Sequence, residues 1–250
     1  MKRFNRLALL LFMLPMLAVA DIVEIDGINY FLSSGSKTAS VNRKDGGYTG
    51  DIVVPATVVY QGTTYDVTEV LSYAFSGNNE LKSVTLPESI EKISDCVFFG
   101  AHGLETVSMP ASITKWGDAV FAGCTALKTY FLPDCLTEIP RSTFDGCESL
   151  TEIVIPEKIT AIGEKAFAFC DKVKSITIPA GVTEIGEMAF WGCSPEVIFC
   201  YPESVPETES QAFDVLDPEN TTLYVPAAAL NDYKGHEEYN FLEKIEVIKE

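Results

Sequence analysis

Apolar positions in this chain repeat with a fixed period of 23 residues. A phenylalanine marks the period most clearly, at Phe75, Phe98, Phe121, Phe144, Phe167, Phe190 and Phe213. A proline keeps the same interval, at Pro87, Pro110, Pro133, Pro156, Pro179 and Pro202, and Pro226 follows after 24 residues. Two residue types that share one period over so many intervals indicate an internal repeat, which decides the fold before any local structure is assigned.

A short alternating segment precedes each proline. Apolar residues lie three positions before it, at Val84, Val107, Tyr130, Ile153, Ile176 and Phe199. Further apolar residues lie one position before it, at Leu86, Met109, Leu132, Ile155, Ile178 and Tyr201. A spacing of two places both sets on one face of a strand, so the residue between them points to the other face. The pattern predicts one short strand per repeat with an inward apolar side.

Other columns complete the repeat unit. Apolar residues stand six positions after the proline, at Ile93, Trp116, Ile139, Ile162 and Ile185, and a glycine two residues past the phenylalanine indicates a tight turn. A single unit cannot bury its apolar face, whereas units stacked at the strand spacing of ~4.8 Å can. We predict a β-rich α/β solenoid of about seven repeats with a continuous strand face. The opposite face is predicted to consist of short helical or irregular turns that carry the phenylalanines.

The repeat resembles the BspA-type leucine-rich repeat of exported bacterial proteins. The resemblance rests on the pattern L-x-x-I-x-I-P-x-x-I-x-x-I-x-x-x-A-F with a following cysteine, as in the segment from Leu150 through Pro156 and Phe167 to Cys170. It covers roughly residues 52–226. An insertion between Pro55 and Val67 and a threonine at Thr208, where isoleucine is expected, depart from the pattern.

A solenoid needs its two ends covered, because open strand edges pair with other chains. We assign residues 21–66 to an N-terminal β cap and an irregular first repeat, 67–226 to the repeats and 227–250 to a C-terminal cap, all in one domain. Turns at Asp26-Gly27 and Gly46-Gly47 predict antiparallel hairpins in the first cap. A short helix over Ala227–Lys234 and a strand over Lys244–Lys249 are predicted in the second.

The first twenty residues have the composition of a secretory signal peptide. A basic start is followed by an apolar run that is too short to span a bilayer, and Ala18-Val19-Ala20 is a small-residue cleavage pattern. We expect export with cleavage after Ala20, and no membrane insertion of the mature chain. A buried N-terminal helix is the alternative, but the segment has no polar face to expose to water.

The charge of the chain excludes some partners. The formal net charge is −18, and it becomes −21 without the first twenty residues, which hold three of the 18 basic residues and no acidic one. A field of that sign repels nucleic acids and anionic membranes. We therefore expect neither as a partner.

The sequence offers no catalytic or metal-binding pattern. Four of the seven cysteines, Cys124, Cys147, Cys170 and Cys193, occupy one repeat column, which predicts buried, reduced thiols, although adjacent positions in a stack lie near disulfide range. Cys200 is predicted to point outward and to be the most accessible thiol. Only two histidines occur, and neither has a matched partner. We expect no enzyme activity, no cofactor and no metal.

The strand face is the predicted binding surface, because such faces in repeat proteins are wide and rigid. Its candidate ligand-binding residues are Thr85, Ser108, Phe131, Val154 and Thr177 in the outward column, with Lys128 and Thr129 beside them. Phe131 next to Val154 predicts an exposed apolar patch. Cys200 and Tyr224 complete the column. Phe99 and Trp191 are predicted to lie on the opposite side, where each either packs over its turn or offers an aromatic surface.

Two functions are compatible with this arrangement. The family resemblance implies a non-catalytic binding protein that acts outside the cytoplasm, in adhesion or protein–protein interaction. The alternative is a glycan-binding accessory protein of a polysaccharide-scavenging system, in which Phe131, Tyr224 and Trp191 would stack on sugar rings.

Overall fold

The computed structural model describes residues 22–128, 132–213 and 216–249. The predicted signal peptide, residues 1–20, lies outside the described residues. Within the described ranges, no helix is both long and apolar enough to cross a bilayer.

In chain order the strands and the helix are β1 (Ile22–Ile25), β2 (Ile28–Ser33), β3 (Thr38–Asn42), β4 (Gly50–Val53), β5 (Thr57–Tyr60), β6 (Thr63–Val70), β7 (Leu81–Thr85), β8 (Lys92–Ile93), β9 (Thr106–Ser108), β10 (Lys115–Trp116), β11 (Glu138–Ile139), β12 (Glu152–Val154), β13 (Ala161–Ile162), β14 (Ser175–Ile178), β15 (Glu184–Ile185), β16 (Val197–Cys200), β17 (Glu207–Thr208), β18 (Thr222–Val225), α1 (Leu230–Gly235) and β19 (Lys244–Val247).

The predicted solenoid and its strand ladder are confirmed. The strands that precede the prolines pair in parallel with the same strand of the next turn, in the orders β4-β7-β9 and β12-β14-β16-β18-β19. Residues 129–131, which follow Thr106–Ser108 by one period in the sequence, lie outside the described residues. Along each strand, inward residues such as Ile153, Ile176 and Leu223 are buried. The alternation that the sequence predicts thus separates the core from an outward face.

A second parallel ladder runs along another side of the solenoid, where the sequence predicts only helical or irregular turns. It consists of two-residue strands, in the orders β6-β8-β10 and β11-β13-β15-β17. Two residues are too few to show an alternating pattern, so the sequence marks only the inward member of each pair. Ile93, Ile139, Ile162 and Ile185 are these inward members, and all are buried.

A continuous stack of phenylalanine rings forms the third row of the core. The seven repeat phenylalanines are almost completely buried. Successive rings lie 5.1–5.6 Å apart between centroids, with interplanar angles of 3–13°. Each 23-residue repeat therefore forms one turn of the solenoid and contributes one ring to the stack. Offset stacking at this distance adds to the burial of the rings.

The N-terminal cap is built of hairpins, as predicted. β1 and β2 form an antiparallel hairpin with Asp26-Gly27 at its turn, and β2 pairs antiparallel with β3. The insertion forms another hairpin, β5 with β6, around Gln61-Gly62. The hairpin predicted at Gly46-Gly47 is wrong, because this turn joins β3 to β4, and those strands pair in parallel with β6 and β7. The cap joins the solenoid through both parallel pairings.

The C-terminal cap contains the predicted helix and strand. The helix α1 occupies Leu230–Gly235, and β19 adds a parallel strand to β18. Tyr239 tilts against Phe213 at 5.4 Å and closes this end of the phenylalanine stack. Tyr48 closes the other end in the same way, 4.9 Å from Phe75.

A left-handed residue stands two positions after most of the repeat phenylalanines. Gly77, Gly100, Gly123, Gly146 and Gly192 occupy this column with φ of 67–78°. Among the described residues of this column, Phe169 is the one that is not glycine; it has a φ of 55° and is 43% exposed. A bulky residue with positive φ is strained, because its Cβ approaches the following carbonyl group.

Glycine at position 169 is expected to make the protein more stable than alanine at the same position, by about 1 to 2 kcal/mol. Both substitutions remove the aromatic ring equally, so their difference isolates the backbone strain. The measurement is the free energy of unfolding of Phe169→Gly and Phe169→Ala in urea. Gly146→Ala is the matched control and should be destabilised by a similar amount, since φ of Gly146 is 73°. Equal stability of the two position-169 variants would contradict the assignment.

Candidate binding surface

The outward strand face is built from one residue per turn. Val53, Thr85 and Ser108 lie side by side in the register of β4, β7 and β9. In the second group, Val154, Thr177, Phe199, Tyr224 and Glu246 are neighbours across five successive strands. We call this column of outward residues the strand face. The predicted site residues Thr85, Ser108, Val154 and Thr177 all belong to it, and Phe131 and Thr129 lie outside the described residues.

The register of β16 differs from the one that the prolines predict. Ile176 pairs with Ile198, 22 residues later, although Pro179 and Pro202 are 23 residues apart. The strand therefore begins one residue early, and Tyr201 is an additional residue between the end of the strand and Pro202. Cys200 and Ile198 consequently point into the core, and Phe199 points outward.

The prediction that Cys200 is the most accessible thiol is therefore wrong. Its side chain is fully buried, and its Sγ lies 3.3 Å from the hydroxyl of Tyr233 in the C-terminal cap. That hydroxyl donates a hydrogen bond to the carbonyl of Pro202. Burial raises the pKa of Cys200 to about 12. The exposed thiol is Cys135, which no repeat column singled out.

Two aromatic rings on the strand face pack on each other. Phe199 and Tyr224 are half-buried, and their rings stack at a centroid distance of 5.3 Å with an interplanar angle of 17°. The stack turns one face of each ring toward the other ring. The register places Thr177 beside Phe199 and Glu246 beside Tyr224. Together with the exposed Val154, these rings give the C-terminal half of the strand face an apolar character.

The strand face carries charges of both signs along its border. Lys128 forms an ion pair with Glu105 at 2.5 Å, and Lys174 forms one with Glu196 at 3.3 Å. The hydrogen bond from Lys128 lowers the pKa of Glu105. Lys128, a predicted binding residue, thus lies at the border of the surface and already has a partner. Both pairs are solvent-exposed, so they contribute little to stability and instead set the local charge pattern.

The second ladder is bordered by an acidic groove. Its cavity of about 460 Å³ is lined by Asp118, Glu138, Glu164, Glu184, Glu207 and Glu209, with Arg141 as the basic residue among them. Within the described part of the chain, no three histidine, cysteine or acidic residues are arranged to hold a metal ion. The groove and the strand face thus differ in charge, although both derive from the same repeat.

The cysteine column is a hydrogen-bonded ladder in the core. Each thiol donates to the carbonyl of a repeat phenylalanine 26 residues earlier, at 3.2–3.4 Å: Cys124 to Phe98, Cys147 to Phe121, Cys170 to Phe144 and Cys193 to Phe167. All seven cysteines are free in the structure, and the four of this column are buried, as the sequence predicts. Burial raises the pKa of Cys124 to about 12 and that of Cys147 well above its usual range. Such thiols remain protonated at neutral pH and are poor nucleophiles.

The opposite side of the solenoid carries the other predicted aromatic residues. Trp191 is half-buried, and its ring meets that of Phe169 edge-to-face at 4.7 Å. Trp191 therefore packs against its neighbouring turn, which is one of the two alternatives that the sequence left open. Phe99 is 48% exposed.

The repeat is matched by a known family model. The model of the BspA type leucine-rich repeat region matches six copies over residues 68–196 and 137–248, which is more than half of the chain. The chain belongs to this family. Comparison with curated proteins gave no match.

Solved bacterial leucine-rich-repeat proteins share the fold. A Bacteroides ovatus protein is 24% identical over 82% of this chain, with a TM-score of 0.63. A Eubacterium ventriosum protein is 27% identical over 77%, with a TM-score of 0.61, and a leucine-rich cell surface protein of Faecalibacterium prausnitzii is 20% identical over 90%, with a TM-score of 0.59. This BspA-type chain spans 59%, 51% and 72% of those three proteins respectively. Such a repeat scaffold generally serves protein–protein interaction.

Thiol labelling tests the placement of the cysteines. In the native protein, Cys135 is expected to react fully with a thiol reagent and the half-buried Cys96 more slowly, because reaction requires access to the thiolate. The remaining five cysteines should react only in denaturant. Peptide mass mapping after timed labelling identifies the sites, and Cys135→Ser should remove the fast phase. Rapid labelling of Cys200 in the native state would contradict the shifted register.

Proposed function

We propose that this protein is a non-catalytic binding protein that acts outside the cytoplasm and holds a protein ligand on its strand face. The observation that carries the proposal is the outward column from Val154 to Tyr224, which presents apolar and aromatic side chains on a rigid parallel ladder. Half-buried aromatic residues with apolar neighbours and a polar border are the usual composition of a binding hot spot. The signal-like residues 1–20 support export.

The strand face suits a protein better than a negatively charged ligand. Its ion pairs, Lys128 with Glu105 and Lys174 with Glu196, mix charges of both signs at the border. The chain as a whole is strongly acidic, which favours a partner with a basic surface and raises the rate of encounter with it. In this proposal the charges around the strand face orient the approaching partner, and the apolar residues of the strand face provide most of the binding affinity.

The arrangement of the aromatic rings bears on the glycan alternative. A sugar ring binds by stacking on the open face of an aromatic side chain. Phe199 and Tyr224 use one face each for their mutual stack, and Trp191 is packed against Phe169. Each of these rings thus already has a packing partner, which leaves less open ring face for a pyranose than an unpaired aromatic side chain would. We therefore favour adhesion or another protein interaction over glycan capture.

Replacing both outward rings is the direct test of the strand face. The double variant Phe199→Ser, Tyr224→Ser is expected to weaken a protein ligand about 30-fold or more, the effect of losing a hot spot worth about 2 kcal/mol. Residues 21–250 and the variant would be compared on an array of purified host-matrix proteins and on a glycan array, with affinities measured by surface plasmon resonance. Phe131→Ser tests the residue that the sequence placed at the centre of the patch.

Ala161→Ser is the matched control, because Ala161 is the outward residue of β13 in the second ladder. It should leave binding unchanged. If a matrix protein bound the double variant as tightly as the parent, the strand face would not be the binding surface. If binding were confined to glycans, the alternative function would replace the proposed one.

A further inference from the structure

A cleft opens beside the strand face where the register of β16 shifts. It has a volume of about 670 Å³ and is lined by residues of three successive turns and by Ile248, which follows β19 directly; Tyr201, Pro202 and Pro226 are among the others. Pockets of 300–1,000 Å³ with mainly apolar walls are typical of specific ligand sites. The cleft is therefore large enough for a side chain or a small molecule.

The one-residue shift in the register of β16 places Tyr201 between the end of that strand and Pro202. In β14, Ile178 is followed directly by Pro179, whereas Cys200, the partner of Ile178, is followed by Tyr201 and only then by Pro202. The Tyr201 amide donates to the carbonyl of Ile178 at 3.0 Å and so continues the ladder by one residue. Alternation then turns its side chain outward, on the same side as Phe199. Tyr201 is 41% exposed and lines the cleft.

The chemistry of the walls restricts the occupant. Among the described residues that line the cleft, Glu203 is the only charged one, and Ser204 and Thr183 add hydroxyl groups. A carboxylate with no basic partner in the lining disfavours phosphates, acidic sugars and free carboxylates. It favours a neutral or cationic group, and the net charge of the whole chain acts in the same direction.

We propose that this cleft binds a side chain of the protein partner, an aromatic ring that carries or adjoins a positive charge. The ring would lie against Tyr201 and the prolines, and the cation would approach Glu203. This proposal rests on the proposed function in one respect, namely that the side chain in the cleft belongs to the protein ligand of the strand face. That ligand would contact Phe199 and the cleft together. The cleft itself is tested separately with small probes.

Three small phenols that differ in charge test the site. Tyramine, p-cresol and 4-hydroxyphenylacetate share one ring and are cationic, neutral and anionic at pH 7. Tyramine is expected to bind with a Kd on the order of 5 mM, the affinity usual for a ligand of about ten non-hydrogen atoms. The cation should bind roughly two- to fivefold more tightly than p-cresol, as an exposed ion pair allows, and the anion should bind most weakly. Amide chemical shifts of Ser204 and Ala227 report binding in residues 21–250.

Two variants separate the contributions of the cleft. Tyr201→Ala should weaken all three phenols, whereas Glu203→Gln should remove only the advantage of tyramine over p-cresol. Tyr73→Ala is the matched control, because Tyr73 is an exposed tyrosine outside the cleft lining. Urea unfolding of each variant verifies that the fold is retained.

Any one of three results would overturn the proposal. The first is that tyramine causes no saturable shift at Ser204 and Ala227 at a concentration ten times its expected Kd. The second is that the anionic 4-hydroxyphenylacetate binds as tightly as tyramine or more tightly, and the third is that maltose or N-acetylglucosamine binds more tightly than the phenols. Val154→Ser distinguishes the cleft from the strand face, since it should leave the phenols unaffected. If the unsubstituted protein bound tyramine but no protein ligand, the proposed function would be contradicted and the cleft would stand.

Discussion

The whole structure depends on one constraint: equivalent residues of successive turns must stack directly on one another, one strand spacing apart along the solenoid. The phenylalanine rings satisfy it with centroid distances of 5.1–5.6 Å, close to the ~4.8 Å between hydrogen-bonded strands. The small difference is accommodated by the offset of the stacked rings. Because the rings and both ladders advance together, a change in the length of one turn must be compensated within that turn.

The ends of the solenoid meet this constraint with different residues. Tyr48 and Tyr239 tilt against the terminal rings, where another stacked phenylalanine would need a further turn to cover it. The repeat positions next to the caps are altered to match. Thr208 places its hydroxyl 3.2 Å from that of Tyr239, and Asn78, in the column of the cysteine ladder, accepts a hydrogen bond from the Tyr48 amide. The departures from the repeat at its ends are thus contacts with the caps.

Residues available for binding are those that the stack does not constrain. The inward columns and the cysteine ladder must be buried and similar in every turn, whereas the outward position of each strand can vary without loss of core packing. Variation there gives Val53, Thr85 and Ser108 in the first group of strands and Val154, Thr177, Phe199 and Tyr224 in the second. The shift at β16 goes further, because it adds an exposed residue, Tyr201, that lines a cleft between turns. Rigid core positions and variable outward ones together make the repeat suitable as a binding scaffold.

The sequence by itself determined the repeat, the inward columns, the buried cysteine ladder and the outward position of Thr85, Ser108, Val154 and Thr177. These follow from periodicity, since every turn repeats the same choice between burial and exposure. Only the tertiary structure decided where Phe199, Cys200 and Tyr201 point and that a second ladder exists. The spacing of the prolines stays at 23 residues through β16, because one residue is missing before this strand and one is added after it. The proline period alone therefore does not reveal the shift in register. Strand register is set by hydrogen bonds to the neighbouring turn, and those bonds, not the spacing of the prolines, determine which side chains reach the surface.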